Sequence, residues 1–242
     1  MNCPCASFMA LNFTLSPALM PEDIVVVQAT DSMWLAPAQP EEERYIRGAV
    51  EKRKREFRAG RNAAREALAK LGFKGNPVIR KDQRRRPLWP AGTVGSITHT
   101  DGLCIAVAAL GERYQGVGID AERSTALSEG LRAKICTVDE LAWAGAQSRQ
   151  THIDWHKVLF CTKEAVFKLL NPVYCQEMAF RDINVSPVGP GSCSFSARVS
   201  ASRFPKSIDI IGRYHITNEY IVCATWLIRQ HTGAQAQSAH EV

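Results

Sequence analysis

The chain has 242 residues, of which 45% are hydrophobic, and this is enough apolar material for one large or two small globular domains. Its formal net charge of +6 favours an anionic partner, without distinguishing nucleic acid, an acidic protein or a phosphorylated small molecule. No apolar run approaches the roughly 18–20 residues of a membrane span, and no basic residues precede the apolar N-terminus as in a secretory signal, so a cytoplasmic protein is expected. The eight cysteines are scattered without metal-binding spacing, and we expect them to be reduced.

The first long helical pattern covers residues 41–72. Its apolar residues share one stripe of the 3.6-residue period, while Arg58, Arg61 and Arg65 follow one another on a different side. A basic run at residues 52–55 precedes them, and few acidic residues balance these charges. A solvated charged face would explain the pattern, but the excess of positive charge favours an anionic partner.

A second basic cluster, at residues 80–86, leads into Pro87-Leu88-Trp89-Pro90, where the prolines predict an extended or turning segment. A short strand at 95–98 and a nearly continuous apolar strand at 103–110 then flank the turn residues Asp101-Gly102 and predict a hairpin.

The rest of the chain adds one more strand, two helices and a β-rich end. The pattern predicts a strand at 116–122, a short helix at 137–146, a helix from Trp155 that ends at Asn171-Pro172, and strands at 195–199, 208–216 and 220–228. The hairpins that contain 103–110 and 220–228 hint at two similar halves. Residues 231–242 offer few anchors, and a disordered tail is expected.

Two carboxylates in the predicted strand 116–122 point the same way. Strand side chains alternate between faces, so Asp120 and Glu122 share one side with Cα atoms about 6.6 Å apart. Mg²⁺ binds oxygen ligands, and it usually takes one or two carboxylates and leaves other positions to water and substrate phosphate. Glu164, about forty positions later on a predicted helix, is a candidate third ligand. These residues predict a divided magnesium site for phosphoryl chemistry.

The motifs around these acids carry a family resemblance. Gly118-Ile119-Asp120-Ala121-Glu122, followed by Phe160-Cys161-Thr162-Lys163-Glu164-Ala165, resembles the 4'-phosphopantetheinyl transferases of the surfactin type. Upstream, the segments 55–61, 87–90 and Gly95-Ser96-Ile97-Thr98-His99 look like those of the bacterial subgroup related to enterobactin synthase component D. The likeness covers about residues 45–170. Phe160 stands where many members have tryptophan, and it is expected to pack rather than react.

The resemblance implies an α+β fold with two pseudo-twofold-related lobes in one chain. An N-terminal lobe at 1–113 would carry the basic helix and the coenzyme phosphate contacts, and a C-terminal lobe at 114–230 would carry the magnesium-binding carboxylates. The implied reaction is attack by a carrier-protein serine on the β-phosphate of coenzyme A, which releases adenosine 3',5'-bisphosphate. The enzyme would act as a monomer on acyl, peptidyl or aryl carrier proteins, and the sequence leaves the carrier open.

The resemblance also assigns roles to individual residues. Asp120, Glu122 and Glu164 would hold Mg²⁺, and the catalytic set would be Asp120, Glu164 and Lys168. The coenzyme contacts would be Arg61, Arg86, Thr98, His99, Lys163 and Lys168. Glu164 and Lys168 could alternatively form an ordinary i, i+4 surface pair. The general base could be Glu164 or a hydroxide held by the metal.

Two other functional classes compete with this interpretation. A nucleic-acid-binding module would use the basic helix and the arginine cluster beside Trp89. Aligned carboxylates argue against it, because they repel phosphate unless a metal intervenes. A partner protein with a decayed active site is the third class, and the apparent completeness of the acidic set argues against that.

Overall fold

The computed structural model describes residues 14–187, 193–200 and 207–230. The helices of these ranges are α1 Asp31–Leu35, α2 Pro40–Glu43, α3 Glu51–Lys70, α4 Glu129–Ile135, α5 Val138–Thr151 and α6 Trp155–Tyr174. The strands are β1 Val25–Gln28, β2 Thr93–Thr100, β3 Leu103–Leu110, β4 Tyr114–Arg123, β5 Ile183–Pro187, β6 Ser194–Val199, β7 Ile208–Ile216 and β8 Tyr220–Ile228. The predicted tail at 231–242 lies outside the described residues.

Two antiparallel sheets divide the strands between the halves of the chain. The first sheet has the order β1-β3-β2, and the second has the order β4-β8-β7-β6-β5. Each half runs from a strand through a 20-residue helix, α3 or α6, to a hairpin, and in each the first strand pairs with the last strand of that hairpin. The α+β class with two similar lobes is therefore confirmed. The boundary near residue 113 stays a prediction, although β3 ends at Leu110 and β4 begins at Tyr114.

The edge strands of the two sheets meet through side-chain hydroxyl groups. Ser96 Oγ accepts a hydrogen bond from the backbone N–H of Ile119 at 3.3 Å, and Thr98 Oγ1 accepts one from Ala121 at 3.0 Å. Buried backbone N–H groups need such partners. The hydroxyl groups of β2 thus take the place of backbone pairing and hold β4 alongside. As a result, Thr98 lies next to the acidic residues of β4.

Alternation along β4 separates its apolar side from its acidic side. Ile119 and Ala121 are buried in a core formed with β3 and β8. Asp120 and Glu122 project toward α6, which approaches the strand very closely. A Cβ atom on Gly118 would lie 2.1 Å from the carbonyl oxygen of Ala165, so the contact requires glycine. This close approach brings the polar side chains of α6 within reach of the acids.

The predicted helix at 41–72 is broken in the structure. The chain forms α2, turns at residues 47–50 and then enters α3. Arg58 forms a two-point ion pair with Glu43, with both N–O distances 2.8 Å, and Arg65 binds Glu42 at 2.7 Å. Part of the basic face of α3 therefore has acidic partners in α2, which local spacing did not reveal.

Other element predictions differ at their ends. The strands at 103–110, 208–216 and 220–228 have the predicted bounds, but the helix expected to stop at Asn171-Pro172 continues to Tyr174. Proline in the last turn removes a single backbone donor, and the Cys175 N–H still reaches the Asn171 carbonyl at 3.0 Å. The helix at 137–146 extends to Thr151, and β1 and β5 were not predicted.

None of the helices in the described ranges combines the length and the apolar character that a membrane crossing requires.

Candidate functional site

Asp120 lies at the junction of β2, β4 and α6, where it is almost entirely buried. Its Oδ1 atom accepts hydrogen bonds from Lys168 Nζ at 2.7 Å and from Thr98 Oγ1 at 3.1 Å. The second oxygen, Oδ2, is also buried but has no hydrogen-bond partner. A buried carboxylate oxygen without a donor is costly, and a bound cation would satisfy it. The three residues Asp120, Thr98 and Lys168, expected to act together, are thus in contact.

Glu122 lies two residues farther along the same side of β4. Its Oε2 atom pairs with Lys157 Nζ at 2.6 Å, and both side chains are largely buried. Lys157 comes from the first turn of α6, and no sequence motif marked it. Each acidic side chain of β4 therefore has its own ammonium partner from one helix.

Glu164 lies on α6 between these two lysines in sequence. The pKa of its carboxyl group is raised by burial, and the negative charges of Asp120 and Glu122 raise it further, while Lys168 acts in the opposite direction. The three acids are thus near enough to interact electrostatically. In the described part of the chain, however, no three carboxylate, histidine or cysteine side chains are arranged as a metal-ligand group. The three acids are therefore not preassembled as a ligand group in the described structure, and their assignment as magnesium ligands stays a prediction.

The donor chemistry nevertheless fits a magnesium ion. Mg²⁺ usually binds protein through one or two carboxylates, and substrate phosphate supplies further oxygen atoms. Asp120 provides an oxygen atom without a partner, and Glu122 and Glu164 provide further oxygens close by. Asp120, Glu122 and Glu164 are accordingly the residues that would hold such an ion.

A basic cavity of about 340 Å³ opens between α3, the segment 81–87 and β2. The cavity is lined by one acidic residue, Glu56, by His99 and by aromatic and apolar side chains. Four cationic residues also line it: Arg53, Arg61, Lys81 and Arg85. The charges of Lys168 and Asp120 both act on the His99 ring, and a second cavity, which shares Arg85 with the first, is lined by Lys168; the basic cavity therefore ends beside the Asp120 and Lys168 pair. One surface thus joins a cationic cavity to an acidic cluster.

Arg61 is the most deeply buried cation of this cavity, with only 6% of its surface exposed. Its guanidinium group lies 4.7 Å from the centre of the Phe57 ring, and its Nε atom has no hydrogen-bond partner. Burial lowers the pKa of Arg61 to about 10, so the group remains charged at neutral pH. A buried charge with an unused donor is suited to binding an anion.

His99 is neutral at physiological pH, because burial lowers its pKa below the usual value, although Glu56 opposes the shift. Arg53 Nη1 lies 2.7 Å from His99 Nε2, and because arginine can only donate, Nε2 is the acceptor. The ring proton is then on Nδ1, which faces Glu56 at 3.6 Å.

Comparison with known proteins gives a consistent family assignment. The model of the 4'-phosphopantetheinyl transferase N-terminal domain matches residues 41–109, and the model of the 4'-phosphopantetheinyl transferase superfamily matches residues 116–224. The chain is 34% identical over 171 residues to 4'-phosphopantetheinyl transferase PptT of Mycobacterium tuberculosis, which covers 70% of this chain and 74% of that protein. The chain belongs to the 4'-phosphopantetheinyl transferase superfamily.

Other members of the superfamily match over shorter parts. The chain is 39% identical over 150 residues to 4'-phosphopantetheinyl transferase Npt of Nocardia iowensis, which covers 62% of this chain and 66% of that protein. It is 36% identical over 140 residues to enterobactin synthase component D of Salmonella typhi, with 57% and 55% covered. The chain thus spans about two thirds, or less, of the length of these two relatives.

The two matched models divide the candidate site between them. The superfamily model includes Asp120, Glu122 and Glu164, and the N-terminal-domain model includes Arg61 and His99. The site is therefore built where the two parts of a superfamily member meet.

Arg86, expected as a coenzyme contact, is held by protein groups, but it also lines the second cavity beside Lys168, so its role as a coenzyme contact stays a prediction. Its Nε atom binds Asp82 at 2.6 Å, and its Nη1 atom donates to the Asn171 carbonyl at 2.7 Å. Arg84 similarly donates to the Cys175 carbonyl at 2.9 Å. Arg84 and Arg86 bind the segment 81–87 to the end of α6. Arg85, which lies between them in sequence and has a positive φ of 64°, lines the cavity.

Lys163 is directed away from the cavity, which corrects its interpretation as a coenzyme contact. The side chain is completely buried and donates to Glu140 at 2.6 Å and to the carbonyl groups of Ile135 and Phe180 at 2.9 and 3.0 Å. It points into the core of the C-terminal lobe because it lies about 100° around the helix from Glu164.

The structure adds four cationic residues to the candidate site that received no role from the sequence: Arg53, Lys81, Arg85 and Lys157. The first three lie in the two basic clusters, which were a signal for the cavity but did not show which members face it. Lys157 had no such signal, since it lies outside both basic clusters and outside the family motifs.

Proposed function

We propose that the protein transfers 4'-phosphopantetheine from coenzyme A to a serine of an apo carrier protein in a magnesium-dependent reaction. The observation that supports this most is the position of the basic cavity beside the Asp120 and Lys168 pair, in a chain that belongs to the superfamily. A cationic cavity suits the several phosphates of the coenzyme, and the acidic cluster suits a cation on its diphosphate.

The cavity would bind the nucleotide end of the coenzyme. Arg61 offers a buried positive charge with an unused N–H, and Arg53, Lys81 and Arg85 add positive charge at the rim. The diphosphate would then lie toward His99 and Lys168, where the Lys168 ammonium group can donate to a phosphate oxygen. Burial tends to lower the pKa of Lys168, but Asp120 more than compensates, so the lysine stays charged.

The bond changes follow from this placement. The serine oxygen attacks the β-phosphorus atom, and the bond from that phosphorus to the bridging oxygen breaks, so that adenosine 3',5'-bisphosphate leaves. Glu164, with a pKa raised by burial and by its acidic neighbours, would accept the serine proton. Magnesium, when bound by Asp120, Glu122 and Glu164, supplies charge neutralisation at the diphosphate.

The substrates would be carrier proteins of peptide synthetases or of fatty acid synthesis. The exposed part of the basic surface would attract an acidic carrier transiently. We propose a monomer that acts in the cytoplasm, because both lobes of the same chain contribute residues to the candidate site.

An experiment with purified components tests this function. The protein is incubated with coenzyme A, Mg²⁺ and a panel of apo carriers, and intact mass spectrometry measures phosphopantetheine addition. We expect addition to at least one carrier, and none when EDTA is present or when the acceptor serine is replaced by alanine. A folded protein that modifies no carrier would overturn the proposal. Salt-dependent binding to random DNA without any response to coenzyme A and Mg²⁺ would favour the nucleic-acid-binding alternative.

A further inference from the structure

The face of α6 that lies along β4 carries alternating charges. Positions 157, 164 and 168 of a helix fall within about 40° of one another, so Lys157, Glu164 and Lys168 form one row. Lys168 meets Asp120 at 2.7 Å, and Lys157 meets Glu122 at 2.6 Å. Two ammonium groups thus balance two of the three acids.

The two lysines differ in their relation to the basic cavity. Lys168 also contacts Thr98 at 3.2 Å, and it lies on the side where the coenzyme phosphates would bind. Lys157 lies at the other end of the row, in the first turn of α6, and its ammonium group is 5.4 Å from the centre of the Phe160 ring. The polar partner of Lys157 in the described structure is the Glu122 carboxylate.

We propose that Lys157 is an internal counter-ion of Glu122, which competes with the divalent cation for this carboxylate. The inference rests on the proposed function of the site. The ammonium group shields Glu122 from its acidic neighbours as long as no cation is bound. A dication at the same carboxylate would face this positive charge, so Lys157 lowers the affinity of the site for a free cation.

Such a counter-ion would make binding of the cation depend on the coenzyme. Lys157 weakens cation binding with or without the coenzyme, whereas the negative diphosphate attracts the cation directly. Cation and coenzyme would then bind more tightly together than either binds alone. Lys157 would discourage occupation of the site by a cation without its coenzyme, and this would be its role as a positioning residue for Glu122.

Binding of Mn²⁺, measured by the electron paramagnetic resonance signal of the free ion, tests the proposal without any turnover. In the absence of coenzyme A, we expect Lys157→Met to lower the Mn²⁺ dissociation constant at least about tenfold, since a unit charge facing a dication across a few ångströms costs this much even at the dielectric constant of water. With coenzyme A present, both the variant and the wild-type protein should bind Mn²⁺ more tightly, because the diphosphate attracts the cation.

Three further variants control for other effects. Lys157→Arg keeps the charge and should bind Mn²⁺ like the wild-type protein. If methionine disturbs folding, Lys157→Gln replaces it, and the same tighter binding of Mn²⁺ is expected. Lys70→Met removes the same charge from an exposed pair with Glu66, and should change nothing. Thermal unfolding establishes that each variant is folded.

The outcomes separate this inference from the proposed function. Equal or weaker Mn²⁺ binding by Lys157→Met overturns the counter-ion role, while phosphopantetheine transfer to a carrier would still support the function. Mn²⁺ binding by neither protein, even with coenzyme A present, overturns both the metal site and the role of Lys157.

Discussion

The buried side chain of Lys163 offers a direct test of the structure against the family resemblance. The resemblance makes it a coenzyme contact, whereas the structure gives it three hydrogen bonds inside the C-terminal lobe, to Glu140, Ile135 and Phe180. Replacement by methionine keeps the length of the side chain and removes the charge. The two interpretations then predict loss of different properties.

The expected cost follows from the ion pair that is broken. Glu140 would remain in the core as an unpaired charge, although the backbone N–H groups of Val185 and Thr137 would still donate to it. Breaking a buried pair by removing one partner typically costs about 3–5 kcal/mol. For a chain of this size, such a loss lowers the unfolding temperature by about 6–20 °C.

Urea unfolding and coenzyme kinetics together check this prediction. We expect Lys163→Met to lower the free energy of unfolding by the stated amount and to leave KM for coenzyme A unchanged below the unfolding temperature. Adding Glu140→Gln to it should recover part of the loss, because no charge then remains unpaired. Lys70→Met, which breaks an exposed pair, should cost less than about 1 kcal/mol. Wild-type stability of Lys163→Met combined with a raised KM would refute the reasoning.

Four further outcomes follow from the site and its supports. Glu164→Gln should lower kcat far more than it raises KM for coenzyme A, and near wild-type turnover would remove Glu164 from the chemistry. Because the pKa of the Glu164 carboxyl group is raised in the folded state, the metal-free protein should lose stability as pH rises through that pKa. Unfolding of Glu164→Gln, measured over the same pH range, should lack this loss. Arg85→Ala should raise KM for coenzyme A without a change in unfolding temperature, whereas Arg86→Ala should lower that temperature; the reverse pattern would support Arg86 as the coenzyme contact. Gly118→Ala should destabilise the protein by about 1–3 kcal/mol, because its Cβ would meet the Ala165 carbonyl, and an unchanged urea midpoint would contradict the close contact of β4 and α6.

The contact between the edge strands β2 and β4 explains why residues far apart in sequence form one site. Thr98 binds both the Ala121 backbone and the Asp120 side chain, so the position of the acid depends on the N-terminal lobe. Lys168 then reaches the same carboxylate from α6. A change at this junction is therefore expected to affect the site through both lobes.

The sequence by itself determined the features that depend on local spacing. The alternation along β4 places Asp120 and Glu122 on one side, and the apolar runs at 103–110 and 220–228 predict strands that the structure confirms at the same bounds. These patterns are readable because side-chain direction in a strand or helix depends on a few neighbouring residues. The family motifs likewise showed which lengths of chain carry the site.

Only the tertiary structure decided which partner each charged side chain has. Arg85 faces the cavity while Arg86 binds the end of α6, although they are neighbours in one basic run. Lys163 is buried against Glu140, and Lys157 pairs with Glu122 across 35 positions of sequence. An ion pair depends on the distance between two atoms in the folded chain, and that distance is set by packing between elements that the local pattern does not encode.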